Sequence, residues 1–222
     1  FRFKKVNGWI HQARPETIFE PIRKGDFDLG ILLTNSFSSA YHFWLGNVKE
    51  RVGFAMHGRS LLLSTAVPLP KNIETQHHVI TYKDLLVPIG IPISDTKPKL
   101  YLSKEELELA KAQVAGYKGK LIGINPGAAY GSSKCWPPER FRALVEKILS
   151  ETSDTVILFG DNAIKSMVSE ISSGLGERVI NMAGRTTIRE LMALIKTCDA
   201  FLSNDSGPMH IAAALDVPLV AI

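Results

Sequence analysis

From about residue 103 to the end of the chain, short apolar runs alternate with amphipathic stretches at a nearly constant interval. No other feature limits the fold as much. The runs 121–125, 155–159, 178–180, 200–203 and 219–222 are too short and too evenly apolar for helices and fit strands buried on both faces. Between them lie helical patterns: one opening at Pro137-Pro138-Glu139 and carrying Phe141, Leu144, Val145 and Ile148, then 162–172, 187–196 and 206–215. Strands alternating with helices of about 10–15 residues make βαβ units, hence an α/β fold with a doubly wound parallel sheet. Right-handed crossovers put every strand C-terminus on one edge, where such sheets bind ligands.

Two capping boxes punctuate the pattern. In Ser103–Glu106 and Thr187–Glu190 a hydroxyl and a carboxylate three residues apart satisfy free N–H groups at a helix start; the first helix is predicted to run to about Tyr117. The first half is less regular. It reads as a strand over 28–34, a helix over 36–46, a strand over 51–54, a loop over 57–60 and a helix over 76–86. Pro88, Pro92 and Pro98 make 87–98 a poor helix and a poor central strand. A linker there divides the chain into domains 1–99 and 100–222, which suits a length of 222 residues.

Composition narrows the function classes. Hydrophobic residues at 45% and charged ones at 22% exclude disorder. A net charge of +4, spread along the chain, is too weak for a nucleic-acid binder but suits a phosphorylated ligand or an anionic membrane surface. Cys135 and Cys198 have neither CxxC nor metal-ligand spacing and point to a reducing compartment. The histidines form no metal motif. No apolar stretch reaches about 18 residues, and the first 14 lack a signal-peptide core. The start at Phe1 and the final apolar run lead us to expect that both ends belong to a longer protein.

Two constellations can carry chemistry. The first runs from Asn125 to Arg140: a strand end, a loop of small residues, Lys134, then a helix start. Gly127, Ala128 and Ala129 let a ligand approach the backbone, whose N–H groups can cradle phosphate, with Lys134 adding a point charge. It is neither a Walker A loop nor GxGxxG, and it reads equally as a plain connection with a solvated lysine. Trp136 fits a packing anchor better than a stacking platform. The second runs from Ser203 to His210, where Asp205 or Ser206 caps a helix and Gly207-Pro208 forms its first turn. Singly, Asp205 is a cap and His210 a surface histidine. With Lys134 across the same sheet edge, the three converge where a ligand should sit. Thr186 is a weaker ligand candidate beside the cap Thr187, and Asp161 reads as a helix cap. Cys198 reads as core, and no histidine lies near Cys135 in sequence to make it a nucleophile.

The run GAAYGSSKCWPPERF, with NDSGPMHIAAAL downstream, resembles the ADP-heptose:lipopolysaccharide heptosyltransferase family, closest to its type II branch. DLGILLTNSFSSAYHFWLGNVKERVGF and NMAGRTTIREL extend the resemblance over nearly the whole chain. It implies a GT-B architecture of two Rossmann-like domains, both incomplete here. Domain 1–99 would be the acceptor side and 100–222 would bind the nucleotide sugar. The implied reaction is transfer of L-glycero-D-manno-heptose from ADP-heptose to the lipopolysaccharide inner core, with inversion and without metal or resident cofactor. Lys134 would stabilise charge on the departing ADP. Asp205, Ser206, Gly207 and His210 would bind the diphosphate and heptose, Ala129 and Tyr130 would line the same phosphate loop, and Thr186 would lie near the adenosine. The family's general-base aspartate falls ahead of Phe1, so 1–222 alone is expected to be inactive. The acceptor would be heptosyl-Kdo-lipid A, met in the cytoplasm by peripheral contact with the inner membrane. Alternatives are a sibling heptosyltransferase, a nucleotide-sugar epimerase, or a non-catalytic nucleotide-binding relative. A doubly wound hydrolase using Asp205 and His210 lacks a GxSxG elbow.

Overall fold

The structure is a computed structural model. It describes residues 5–6, 9–10, 15–117, 119–128 and 135–222, with side chains from residue 18 onward within those ranges. The chain divides into two compact units, Phe1–Thr96 and Lys97–Ile222.

In the first unit, β1 (Lys5–Val6) pairs antiparallel with β2 (Trp9–Ile10), and α1 (Pro15–Lys24) follows. A three-stranded parallel sheet, β3 (Leu29–Leu32), β4 (Glu50–Phe54) and β5 (Thr65–Val67), then carries α2 (Phe37–Leu45) and α3 (His78–Asp84). Val52, Phe54, Val67 and Leu85 form one core cluster; Leu32, Ala40 and Leu63 form another. The sequence pattern did not predict β5 or α1. Thr65–Val67 is too short to show alternation, and α1 holds Pro21 in its interior. The loop predicted over 57–60 contains the start of a 3₁₀ turn, Arg59–Leu62. The 76–86 helix is shorter than predicted because His77, in extended conformation, caps α3 with Nδ1 accepting the Val79 N–H. A 3₁₀ turn at Val87–Ile89 leads into an exposed segment over 91–100.

The second unit holds α4 (Lys104–Gln113), β6 (Leu121–Asn125), α5 (Pro138–Glu151), β7 (Thr155–Leu158), α6 (Lys165–Ser172), β8 (Val179–Asn181), α7 (Ile188–Thr197), β9 (Ala200–Ser203), α8 (Gly207–Ala214) and β10 (Leu219–Ala221). All five strands are parallel, in the order β8-β7-β6-β9-β10. Counted from the first strand of the unit, this is the 3-2-1-4-5 order of a doubly wound sheet. Side chains alternate across it. Leu121 and Ile157 enter a core with Ala193, Ile195, Phe201 and Ala212. Ile124, Val156 and Leu158 enter a second core with Phe141, Val145, Val168 and Ile171. Helices therefore cover both faces. Both capping boxes form as read, at Ser103/Glu106 and Thr187/Glu190. Helix α4 stops short of Tyr117 because the chain turns left-handed at Gly116 (φ 91°). Helix α6 starts at Lys165, later than predicted, because the Asp161 carboxylate first holds the N–H groups of Ala163 and Ile164 in a turn.

Candidate functional site

In this strand order the crevice for a ligand opens between β6 and β9, where the winding reverses. A cavity of about 510 Å³ lies at that edge, within the usual range for small-molecule sites. Four loops build it, one after each of β6, β7, β8 and β9. Asn125, Gly127 and Ala128 form one wall and Ser206, Gly207 and Pro208 the facing one. Gly160, Asp161 and Ile164 come from the loop after β7; Thr186, Thr187 and Ile188 follow β8. Ile164 lines the cavity and packs against both Gly127 and Gly160. A Cβ built on Gly127 or Gly160 would sit 2.5 or 2.7 Å from its Cδ1, so a larger residue at either position would push the Ile164 side chain aside.

A buried polar network ties the two walls together. The Asn125 amide donates to Gly127 O (3.0 Å), Ser206 Oγ (3.2 Å) and Ser203 Oγ (3.4 Å). Ser203 Oγ and Ser206 Oγ are 3.0 Å apart, and Ser203 Oγ donates to Asn204 O. Asn125, Ser203 and Asn204 are buried. Ser206 stands at the N-cap of α8, yet its side chain makes no cap bond. The predicted capping role is therefore corrected: the network takes the hydroxyl, and the helix start faces the cavity. That end carries the positive pole of the helix dipole.

Of the residues singled out in sequence, Gly127, Ala128, Thr186, Ser206 and Gly207 line the cavity together, with the caps Asp161 and Thr187. Asp205 and His210 are exposed and stand on either side of that lining, one residue before Ser206 and on the first turn of α8. Neither is among the lining residues. Ala129, Tyr130 and Lys134 lie outside the described residues. Trp136 is the anchor predicted: its ring meets Phe141 edge-on at 5.2 Å in the core. Cys198 is core too, and burial with the neighbouring Asp199 pushes its thiol up to about 12. Ile164, Ile188 and Asn204 were missed. Their roles depend on which loops meet, and the sequence signal for a close approach lay only at Gly127 and its small neighbours, read there as room for a ligand. Among the described residues no cluster of three or more His, Cys, Asp or Glu is arranged to hold a metal.

Strand order, crevice and the four-loop cavity define a doubly wound α/β protein with an open cavity at its switch point. Residues 17–222 match the model of glycosyltransferase family 9 (heptosyltransferase), and the chain belongs to that family. It is 34% identical over 214 residues to lipooligosaccharide heptosyltransferase 2 of Haemophilus ducreyi, covering 90% of this chain and 61% of the relative. Against lipopolysaccharide heptosyltransferase 2 of Salmonella typhimurium the identity is 32% over 212 residues, with the same 90% and 61% coverage. The chain thus spans about three-fifths of the length of these curated relatives. Among solved structures, E. coli ADP-heptose LPS heptosyltransferase II superposes with a TM-score of 0.75 at 28% identity, over 94% of this chain and 66% of that one. A family 9 glycosyltransferase from Veillonella parvula gives 0.80 at 21% identity, covering 98% and 63%, and shares the fold. The α/β units with parallel sheets are those of the GT-B fold.

Proposed function

We propose that the protein carrying this chain transfers L-glycero-D-manno-heptose from ADP-heptose to the lipopolysaccharide inner core, with inversion at the anomeric carbon. The observation that carries the reading is the switch-point cavity, walled by small residues and faced by the start of α8. Its volume suits a nucleoside diphosphate. Small residues on the β6 side and the α8 terminus on the other supply the close backbone approach and partial positive charge that a diphosphate needs. Asp161 lines the cavity after β7, the strand whose end holds the ribose-binding carboxylate in related nucleotide folds. Thr186, Thr187 and Ile188 form the side left for the base.

In this reading the acceptor hydroxyl oxygen bonds to the anomeric carbon as the bond from that carbon to the diphosphate oxygen breaks. The hydroxyl proton passes to a general base, a role we assign to no residue of this chain. Negative charge grows on the departing ADP. Lys134 and the α8 terminus meet it, with Asp205 and His210 at the mouth for the heptose hydroxyls and phosphate oxygens. The reading takes no metal or resident cofactor. It places the enzyme at the cytoplasmic face of the inner membrane, acting on heptosyl-Kdo-lipid A. The net charge of +4 favours peripheral, salt-weakened contact with anionic lipid. Among the described residues no helix is long and apolar enough to cross a membrane.

Calorimetry of the full-length protein with ADP tests the reading. Lys134→Ala should weaken binding by about 1.5–3 kcal/mol, the range for a charge-assisted contact. Unchanged affinity removes Lys134 from the site.

A further inference from the structure

Two buried asparagines cross between the walls of the cavity. Asn125, at the end of β6, reaches across to Ser206 Oγ. Asn204, one residue past β9, reaches the other way. Its Nδ2 donates to Pro126 O at 2.6 Å, and its Oδ1 accepts the Trp136 N–H at 3.2 Å. Pro126 and Trp136 bracket residues 127–135, the segment that carries Lys134 in sequence. One carboxamide therefore holds both the Pro126 carbonyl and the Trp136 N–H.

The polarity of the grip restricts the residue. One partner is an acceptor and the other a donor, so the side chain must present an N–H and a C=O together. Aspartate would set a carboxylate oxygen against the Pro126 carbonyl. Alanine would leave a buried carbonyl and a part-buried N–H unmet. Both anchors are firm. Trp136 is wedged against Phe141, and the Asn204 carbonyl is itself held by Ser203 Oγ at 2.8 Å. Asn204 is fully buried and touches no ligand space, which separates its role from that of the lining residues.

We propose that Asn204 is a positioning residue for the donor diphosphate. By clipping Pro126 and Trp136 to the end of β9, it fixes the span between the Gly127-Ala128 wall after β6 and the turn at Ser206-Gly207. The proposal rests on the donor reading above and extends it to a residue outside the cavity wall. A misplaced span costs contacts to the diphosphate and leaves the nucleoside side, built by the loops after β7 and β8, in place.

Calorimetry of the full-length protein with ADP and with adenosine separates these effects. Asn204→Ala should weaken ADP at least tenfold while adenosine stays within twofold of wild type, and the KM for ADP-heptose should rise in parallel. ADP affinity within twofold of wild type in the folded variant overturns the proposal. So does an equal loss of ADP and adenosine, which would mark a general loosening of the fold. If Asn204→Ala does not unfold cooperatively, Asn204→Ser, which keeps one polar partner, carries the same comparison. Hydrogen exchange on the wild-type protein needs no variant: the Trp136 amide should be protected, and exchange at the free rate overturns the clip. Wild-type protein that binds neither ADP nor adenosine overturns the donor reading instead, and the Trp136 amide then still reports on the clip alone.

Discussion

Arg59 is a full charge with no solvent access, and no carboxylate lies within ion-pair distance of it among the described residues. Backbone oxygens and amides stand in for a counter-ion. Nε donates to Phe54 O at 2.8 Å; the guanidinium also meets Thr34 O, Asn35 Oδ1 (3.2 Å) and Ser39 Oγ (3.4 Å). Burial lowers its pKa, yet from so high an ordinary value that it stays charged. One side chain thus gathers the loop after β3, the start of α2 and the end of β4 at the C-terminal edge of the first unit's sheet. Arg59→Met would keep the stem and remove every donor. It should destabilise the first unit by about 2 kcal/mol or more, from two carbonyls left unmet at about 1–3 kcal/mol each. Arg59→Lys should recover only part of that loss, since one ammonium cannot reach so many oxygens in a fork. Denaturant midpoints of both variants check this; an unshifted midpoint in Arg59→Met would show that the network carries no net stability. The residue was invisible in sequence because His57–Ser60 reads as an ordinary polar loop and every partner but one lies 20 or more positions away.

At the scale of elements, what was legible was local. The two capping boxes involve groups three residues apart, so the sequence alone determined both helix starts. The packing of Ile164 on two glycines and the crossed asparagines were not legible, because they depend on separations of about 4 to 80 residues that only the folded sheet closes. The Glu106 carboxylate shows how a local motif acquires a long-range role. It closes the first box and also takes Nε and Nη2 of Arg189 on α7, both at 2.6 Å, so α4 and α7 are joined by a bidentate pair. Chiefly through Arg189, and then the Ser103 N–H, its pKa falls from 4.5 to about 2. A carboxylate lowered on folding contributes stability above its unfolded pKa and loses it as pH drops toward the folded value. The contribution is therefore complete above about pH 4.5 and fades between there and about pH 2. Glu106→Gln should melt earlier than wild type at neutral pH, with the gap closing through that window. Thermal melts across the acid range check it; a gap that stays constant with pH would mean that packing, not the ion pair, joins the helices.

For the whole molecule, the order β8-β7-β6-β9-β10 is the fact from which the rest follows. Alternating strands and helices predicted a parallel sheet and a ligand at its C-terminal edge. They could not say which loops meet, because strand order is a tertiary outcome that no local propensity encodes. Once the order is known, β6 and β9 are adjacent, and two motifs some 80 residues apart become the facing walls of one cavity. Every lining residue belongs to the second unit. Ligand binding stabilises the states that retain the site, by about 2.7 kcal/mol at a concentration 100 times Kd. With ADP at that level, amides of β6, β7 and β9 that exchange by opening this sheet should slow about a hundredfold. Amides of β3 and β4, whose sheet contributes nothing to the cavity, should keep their rates. Hydrogen exchange followed by mass spectrometry reads both sets in one experiment. Equal slowing in β3 and β4 would show that the nucleotide is bound by more than the second unit's loops, and no slowing in β6 and β9 would remove the nucleotide from the switch point.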